Sequence, residues 1–239
     1  MSGAEASVAR VGLVFVSHSE KITEGLIDLV RQMAKNAPIA AAGGTDDGRI
    51  GTSFDKVSAA IAAVNQGVGV VVLCDLGSAI LTAETAMDFL DDSLRESVRI
   101  VDAPLVEGAV AAAVASEVGG ALNAVVEAAE SAGHTSALSA GGREPEVVAP
   151  VGSNGGYSRT VTLINKDGLH ARPAADFVKL ANSFGTRVTV NGTDARSLLG
   201  IMAMGLVKGK SVEIATNEAT GAEAVDALAD LVESGFGEV

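Results

Sequence analysis

The chain has no tryptophan, one tyrosine and six phenylalanines in 239 residues. Its cores must be filled by small aliphatic side chains, and it has almost no aromatic platforms on which nucleic-acid bases could stack. A single cysteine, Cys74, rules out an internal disulfide and fits a reducing compartment. Cations are scarce: 17 Lys and Arg stand against 30 Asp and Glu, a net charge of −13. That balance argues against nucleic acid or an anionic membrane as partner. Long apolar runs are missing too, and the strongest, Val68 to Leu73, is far too short to span a bilayer. The start, Met1-Ser2-Gly3-Ala4-Glu5, lacks the basic region and apolar core of a signal peptide, so a cytoplasmic protein is expected. No His/Cys/carboxylate cluster has metal-ligand spacing, and no Gly-rich loop runs into Lys-Ser/Thr. No metal or bound cofactor is therefore expected.

What is present divides into three parts. Residues 9–132 alternate strand and helix patterns. Apolar strands begin near Val11, Pro38, Val68 and Val98, and each is followed by an amphipathic helical stretch. That alternation predicts an α/β domain, a three-layer unit with a parallel sheet covered on both faces. Residues 133–157 lose the periodicity, are rich in Gly, Ser and Ala, contain Pro145 and Pro150, and read as a flexible linker with His134 in a loop. Residues 158–239 follow a βαββαβα order with an Asn191-Gly192 hairpin signal, which suits an α+β open-faced sandwich. Charge follows the division: residues 1–136 hold 8 basic and 18 acidic side chains, and residues 158–239 hold 8 and 10.

The most informative string is Gly168-Leu169-His170-Ala171-Arg172-Pro173-Ala174-Ala175. Pro173 belongs in a first helical turn, where its missing N–H costs nothing, so His170 falls at or just before the N-cap. Unpaired backbone donors and the positive end of the helix dipole favour an anion there. Arg172 adds a fork for phosphate oxygens. Near pH 7 an ordinary imidazole is largely neutral and can attack phosphorus without a separate base.

A second histidine, His18, ends the first strand of the α/β unit. In such sheets ligands bind beyond the carboxyl ends of strands near the switch in strand order. The chemistry is therefore expected at Ser17-His18-Ser19 and at Asp75-Leu76-Gly77-Ser78. Gly51 and Thr52 precede another helix, so three helix starts are expected to aim donors at one small anion.

The His170 string and the block Arg196-Ser197-Leu198-Leu199-Gly200-Ile201-Met202-Ala203-Met204-Gly205 resemble HPr, the histidine phosphocarrier of the bacterial phosphoenolpyruvate-dependent phosphotransferase system. The resemblance implies phosphate on the pros nitrogen of His170 with Arg172 assisting. It also matches Ser197 to a serine that some HPr proteins phosphorylate for regulation. A serine opening a helix at Leu198 is equally explained as an N-cap.

The ordered pieces Val16-Ser17-His18-Ser19, Gly43-Gly44-Thr45-Asp46, Ile50-Gly51-Thr52-Ser53, Asp75-Leu76-Gly77-Ser78-Ala79 and Ala103-Pro104-Leu105-Val106-Glu107-Gly108 resemble the mannose-type enzyme IIA domain of the phosphotransfer subunits of phosphoenolpyruvate-dependent dihydroxyacetone kinases. That resemblance implies phosphate on the tele nitrogen of His18 and a homodimer through the N-terminal domain. It further implies, as acceptor, ADP held on the nucleotide-binding subunit of the kinase, which works with a substrate-binding subunit. The sequence ends at Val239, directly after the last HPr-like helix, so a separate enzyme I is expected as donor. Two rivals are a mannose-type sugar-transport component and a regulatory module that binds partners according to its phosphorylation.

Overall fold

An unbroken apolar strand is stable only when both of its faces are covered. Strands β1 (Gly12–Ser17) and β3 (Val70–Cys74) are of this kind, and every residue in them is buried. The computed structural model, which describes residues 8–139 and 156–238, pairs them in parallel at the centre of a sheet. Strand β2 (Ile39–Gly43) flanks β1 and β4 (Val98–Val101) flanks β3, giving the order β2-β1-β3-β4. Helices α2 (Phe54–Val64) and α3 (Gly77–Asp88) cover one face, setting Val57, Ile61, Ala79 and Ala83 against Val14, Val16, Val70 and Val72. Helices α1 (Glu20–Arg31) and α5 (Leu105–Glu117) pack on β1 from the other, where Ala109, Ala112 and Ala113 are fully buried. Burying a Val, Leu or Phe side chain contributes about 1.5–3 kcal/mol. Many small contributions thus replace the missing large aromatics.

The chain leaves β1 for β2 on one side, then crosses back over β1 to reach β3. Connections that diverge in this way open a crevice at the carboxyl ends of the two central strands. Ser17 and Cys74 end those strands.

The short helix α4 (Asp92–Arg95) has too few residues to show a period, and nothing in the sequence pattern predicts it. Helix α6 (Leu122–Ser139) runs past Ala132, so residue 133 does not start a loop, and His134 lies in helical backbone. Gly133 costs a helix interior about 1 kcal/mol, yet no proline stands between Leu122 and Ser139 to break its backbone hydrogen bonds. The rest of the expected linker, residues 140–155, lies outside the described residues.

The chain divides into Met1–Gly133 and His134–Val239. The second unit contains a sheet of order β5-β8-β6-β7, whose pairs are all antiparallel. Strand β5 (Tyr157–Thr162) starts at Tyr157, within the expected linker, because Tyr157 pairs with Thr216 on β8 (Ser211–Thr216) and its hydroxyl donates to Asp226 at 2.8 Å. On β8, Val212, Ile214 and Thr216 alternate inward while Ser211 and Glu213 face solvent, as a half-covered sheet requires. Helices α7 (Ala171–Ser183) and α9 (Ala222–Glu233) pack on each other and bury Phe177, Val178, Val225 and Leu228, with α9 lying on β5 and β8. Strands β6 (Thr189–Val190) and β7 (Thr193–Asp194) are joined through Asn191 and Gly192, at φ 47° and 82°. Two consecutive positive φ angles are what a type I′ hairpin turn demands. Helix α8 (Leu198–Ala203) completes the unit.

Candidate functional sites

The crevice of the N-terminal unit is organised around Asp75, the residue directly after β3. One carboxylate oxygen lies 2.9 Å from Nδ1 of His18 and accepts the Leu76 N–H at 2.7 Å. The other accepts the Ser17 hydroxyl at 2.8 Å and the His18 N–H at 2.9 Å. Desolvation, the largest influence on this carboxyl, pushes its pKa up. The donors from His18, Ser17 and Leu76 together outweigh it and hold Asp75 below its ordinary value. Asp75 is therefore ionised and can only accept, so Nδ1 of His18 carries the ring proton. Its opposite nitrogen, Nε2, lies 2.7 Å from the Ser78 hydroxyl, which donates to it. The His18 side chain is about one-fifth exposed, enough for that nitrogen to meet a partner.

The remaining expected residues take different parts. Ser19 opens α1 and donates its N–H to the Ser17 hydroxyl at 3.1 Å. Gly77 and Ser78 form the first turn of α3 beside the ring. The Gly51 N–H and the Thr52 hydroxyl are engaged within the protein. The Gly51 N–H is taken by the His18 carbonyl at 2.9 Å, and the Thr52 hydroxyl pairs with that of Thr82 at 2.8 Å. The start of α2 is closed by Ser53, whose hydroxyl accepts the Lys56 N–H. Of the three expected helix starts, only that of α3 touches the His18 ring. The other loop fixes the histidine backbone, a task sequence spacing cannot distinguish from ligand binding.

Cys74, the residue before Asp75, is 8% exposed. Burial first, and then the neighbouring Asp75 charge, push its thiol up to about 12. It packs in the core and is held in the thiol form, a poor nucleophile.

In the C-terminal unit, His170 is the N-cap of α7, as Pro173 requires, and its side chain does not cap the helix. The loop before it is held from below. Buried Asn165 donates from Nδ2 to the Gly168 carbonyl, and Leu169 N–H bonds the Leu206 carbonyl at 2.8 Å. Gly168 sits at φ +68°, and a Cβ there would strike the Leu206 carbonyl. The glycine is thus fixed by both conformation and space. Nε2 of His170 lies 3.0 Å from a carboxylate oxygen of Glu238, whose other oxygen is 3.8 Å from the Arg172 guanidinium. Neither Asn165 nor Glu238 was legible as part of the site. Asn165 precedes the motif, and Glu238 is far away in sequence, with no local signal. Ser197 caps α8, accepting the Gly200 N–H at 3.2 Å. Among the described residues no group of three or more His, Cys, Asp and Glu could hold a metal ion, and no helix is long and apolar enough to cross a membrane.

Two family models match the chain in the order of its two units. Residues 12–126 match the fructose IIA component of the phosphotransferase system, and residues 157–234 match its HPr component phosphorylation site. The chain thus falls in the class of phosphotransferase-system proteins that join a IIA domain to an HPr domain.

Within that class, the chain belongs to the DhaM family of phosphoryl donor subunits. It is 45% identical to phosphoryl donor subunit DhaM of dihydroxyacetone kinase 2 from Listeria innocua, over 49% of this chain and 94% of that protein. It is 39% identical to DhaM of the phosphoenolpyruvate-dependent dihydroxyacetone kinase of Klebsiella michiganensis, over 73% of this chain but 39% of that longer protein. Its C-terminal part is 39% identical to phosphocarrier protein HPr of Neisseria meningitidis, over 34% of this chain and 94% of that one. The chain spans only about two-fifths to half of the length of its longer DhaM relatives.

Proposed function

We propose that the chain is a two-station phosphoryl relay serving dihydroxyacetone phosphorylation. Phosphoryl passes from the phosphohistidine of enzyme I to Nδ1 of His170, then to Nε2 of His18. From there it goes to ADP on the nucleotide-binding subunit of the kinase, and the ATP so formed phosphorylates dihydroxyacetone on the substrate-binding subunit. The observation that carries this reading is the Asp75–His18–Ser78 chain of hydrogen bonds at the strand switch point. A carboxylate on one ring nitrogen leaves the lone pair on the other, at the surface.

In the transfer between stations, the Nε2 lone pair of His18 attacks phosphorus as the P–Nδ1 bond to His170 breaks, returning its electron pair to that ring. The His18 ring gains positive charge and keeps its Nδ1 proton, and Asp75 offsets that charge. Ser78 and the first-turn N–H groups of α3 stand ready for the phosphoryl oxygens. Arg172 does the same at His170, with the free donors of α7.

The reading places the protein in the cytoplasm, with the N-terminal unit as a homodimer. The reduced, buried Cys74 fits the compartment. Exposed Ile50, Leu76, Leu81 and Phe89, each more than half exposed, favour a protein-facing surface on that unit. The test combines labelled phosphoenolpyruvate, enzyme I and the two kinase subunits, with and without this chain. Acid-labile label on the N-terminal half and chain-dependent dihydroxyacetone phosphate are expected. A chain labelled only at His170, with no turnover, would overturn the relay.

A further inference from the structure

Three features remain outside the relay as described. Two carry little: a solvent-open hollow beside β4 lined by Glu84, Met87, Arg95 and Arg99, and the Arg159–Asp226–Asp230–Glu233 ion network, which ties β5 to α9. The third is the Glu238 carboxylate. It comes from beyond α9, past a 3₁₀ turn at Gly235–Gly237, and reaches the tip of α7.

We infer that Glu238 is a positioning residue for His170, selecting the ring tautomer that leaves Nδ1 as the nucleophile. The inference rests on the relay reading for its consequence, but not for its geometry. The carboxylate oxygen 3.0 Å from Nε2 accepts a ring proton, and a neutral imidazole with Nε2–H has its lone pair on Nδ1. The Glu238 side chain is 22% exposed, against 40% for His170, so the carboxylate is the more shielded of the two. The second Glu238 oxygen faces Arg172 at 3.8 Å and keeps the guanidinium beside the ring. When Nδ1 forms its bond to phosphorus, the bond to the donor nitrogen breaks and the donor keeps that electron pair. The ring of His170, still protonated at Nε2, becomes a cation, and Glu238 balances it. Arg172 is then free to turn from the carboxylate to the phosphoryl oxygens. The arrangement mirrors the other station, where Asp75 binds the opposite nitrogen.

The test reads the tautomer directly, by nitrogen-15 ring spectra of the full chain above the imidazole titration range. The His170 signals are identified by their loss in His170→Ala. In Glu238→Ala the ratio of Nε2–H to Nδ1–H should fall by about threefold to tenfold. The rate of phosphorylation by a phosphohistidine donor should fall by a similar factor. Glu238→Gln removes the charge and can turn either its oxygen or its NH₂ to the ring, so its rate should fall as well. An unchanged ratio in Glu238→Ala overturns the inference, and so does a shifted ratio with wild-type rates in both variants. A wild-type chain that takes no phosphate on His170 would refute the relay, while the spectra still decide the role of Glu238.

Discussion

In the proposed relay the two histidines do one kind of chemistry from opposite surroundings. His18 lies in a crevice between parallel strands, and side-chain hydrogen bonds engage both of its ring nitrogens. His170 stands at an exposed helix tip, where one carboxylate meets one nitrogen. In the first case the carboxylate is on Nδ1, and in the second it is on Nε2. A fold can thus choose which nitrogen keeps its lone pair by choosing which one it sets against a carboxylate, and the choice needs one well-placed acid. The sites also differ in what stands behind them. His18 is held by the backbone of the sheet itself, through the Asp75–His18 amide contact and the Gly51 N–H on the His18 carbonyl. His170 depends on a loop shaped by Gly168 and Asn165.

The largest test of the contrast is to remove one station at a time. With an enzyme I donor, His170→Ala should abolish label on both histidines, and His18→Ala should leave His170 labelled while stopping transfer onward. Label on His18 in the His170→Ala chain would break the proposed order.

Asp75→Asn should follow, slowing transfer through His18 by about 10²-fold or more. The amide can present its NH₂ to Nδ1 and favour the wrong tautomer. The same substitution sharpens a pH comparison. The Asp75 carboxyl is held below its ordinary value of 3.8 in the fold. Its contribution to stability is therefore full above that value and is lost as the pH falls through the depressed one. Thermal melts of the N-terminal unit should lose stability more steeply below about pH 4 in wild type than in Asp75→Asn.

At the other station, Gly168→Ala should destabilise the C-terminal unit by about 2 kcal/mol or more, since both φ and space forbid a Cβ. Denaturant melts of that unit read the effect, and the N-terminal unit should melt unchanged. The smallest expected effect is that of Ser78→Ala, about threefold to tenfold in transfer from His170 to His18. An effect as large as that of Asp75→Asn would mean that Ser78, and not the carboxylate, controls the ring.

Much of this was legible in the residues. The apolar runs of β1 and β3 announce a sheet covered on both faces, and Pro173 alone places His170 at the helix start. The Asn191-Gly192 turn was equally plain. The partners of each histidine were not equally plain. Asp75 could be placed near His18 because strand ends of a parallel sheet converge. Glu238 could not be placed, because its approach to His170 depends on how the last helix packs. Gly51 and Thr52 lie in the expected loop, but the Gly51 N–H holds the His18 carbonyl, and a helix start looks the same in sequence whether such a donor is free or spent. The run to Ser139 shows the same limit: composition marks a weak helix, and only tertiary context decides where it ends.

The depth at which Cys74 is packed has an outcome for how the chain tolerates oxidants. With the thiol pushed up to about 12, only about one part in 10⁵ is thiolate at neutral pH, and peroxide or alkylating reagents act on the thiolate. The sulfur beside Asp75 is therefore a poor target for oxidants, and the proposed transfer through His18 should tolerate peroxide.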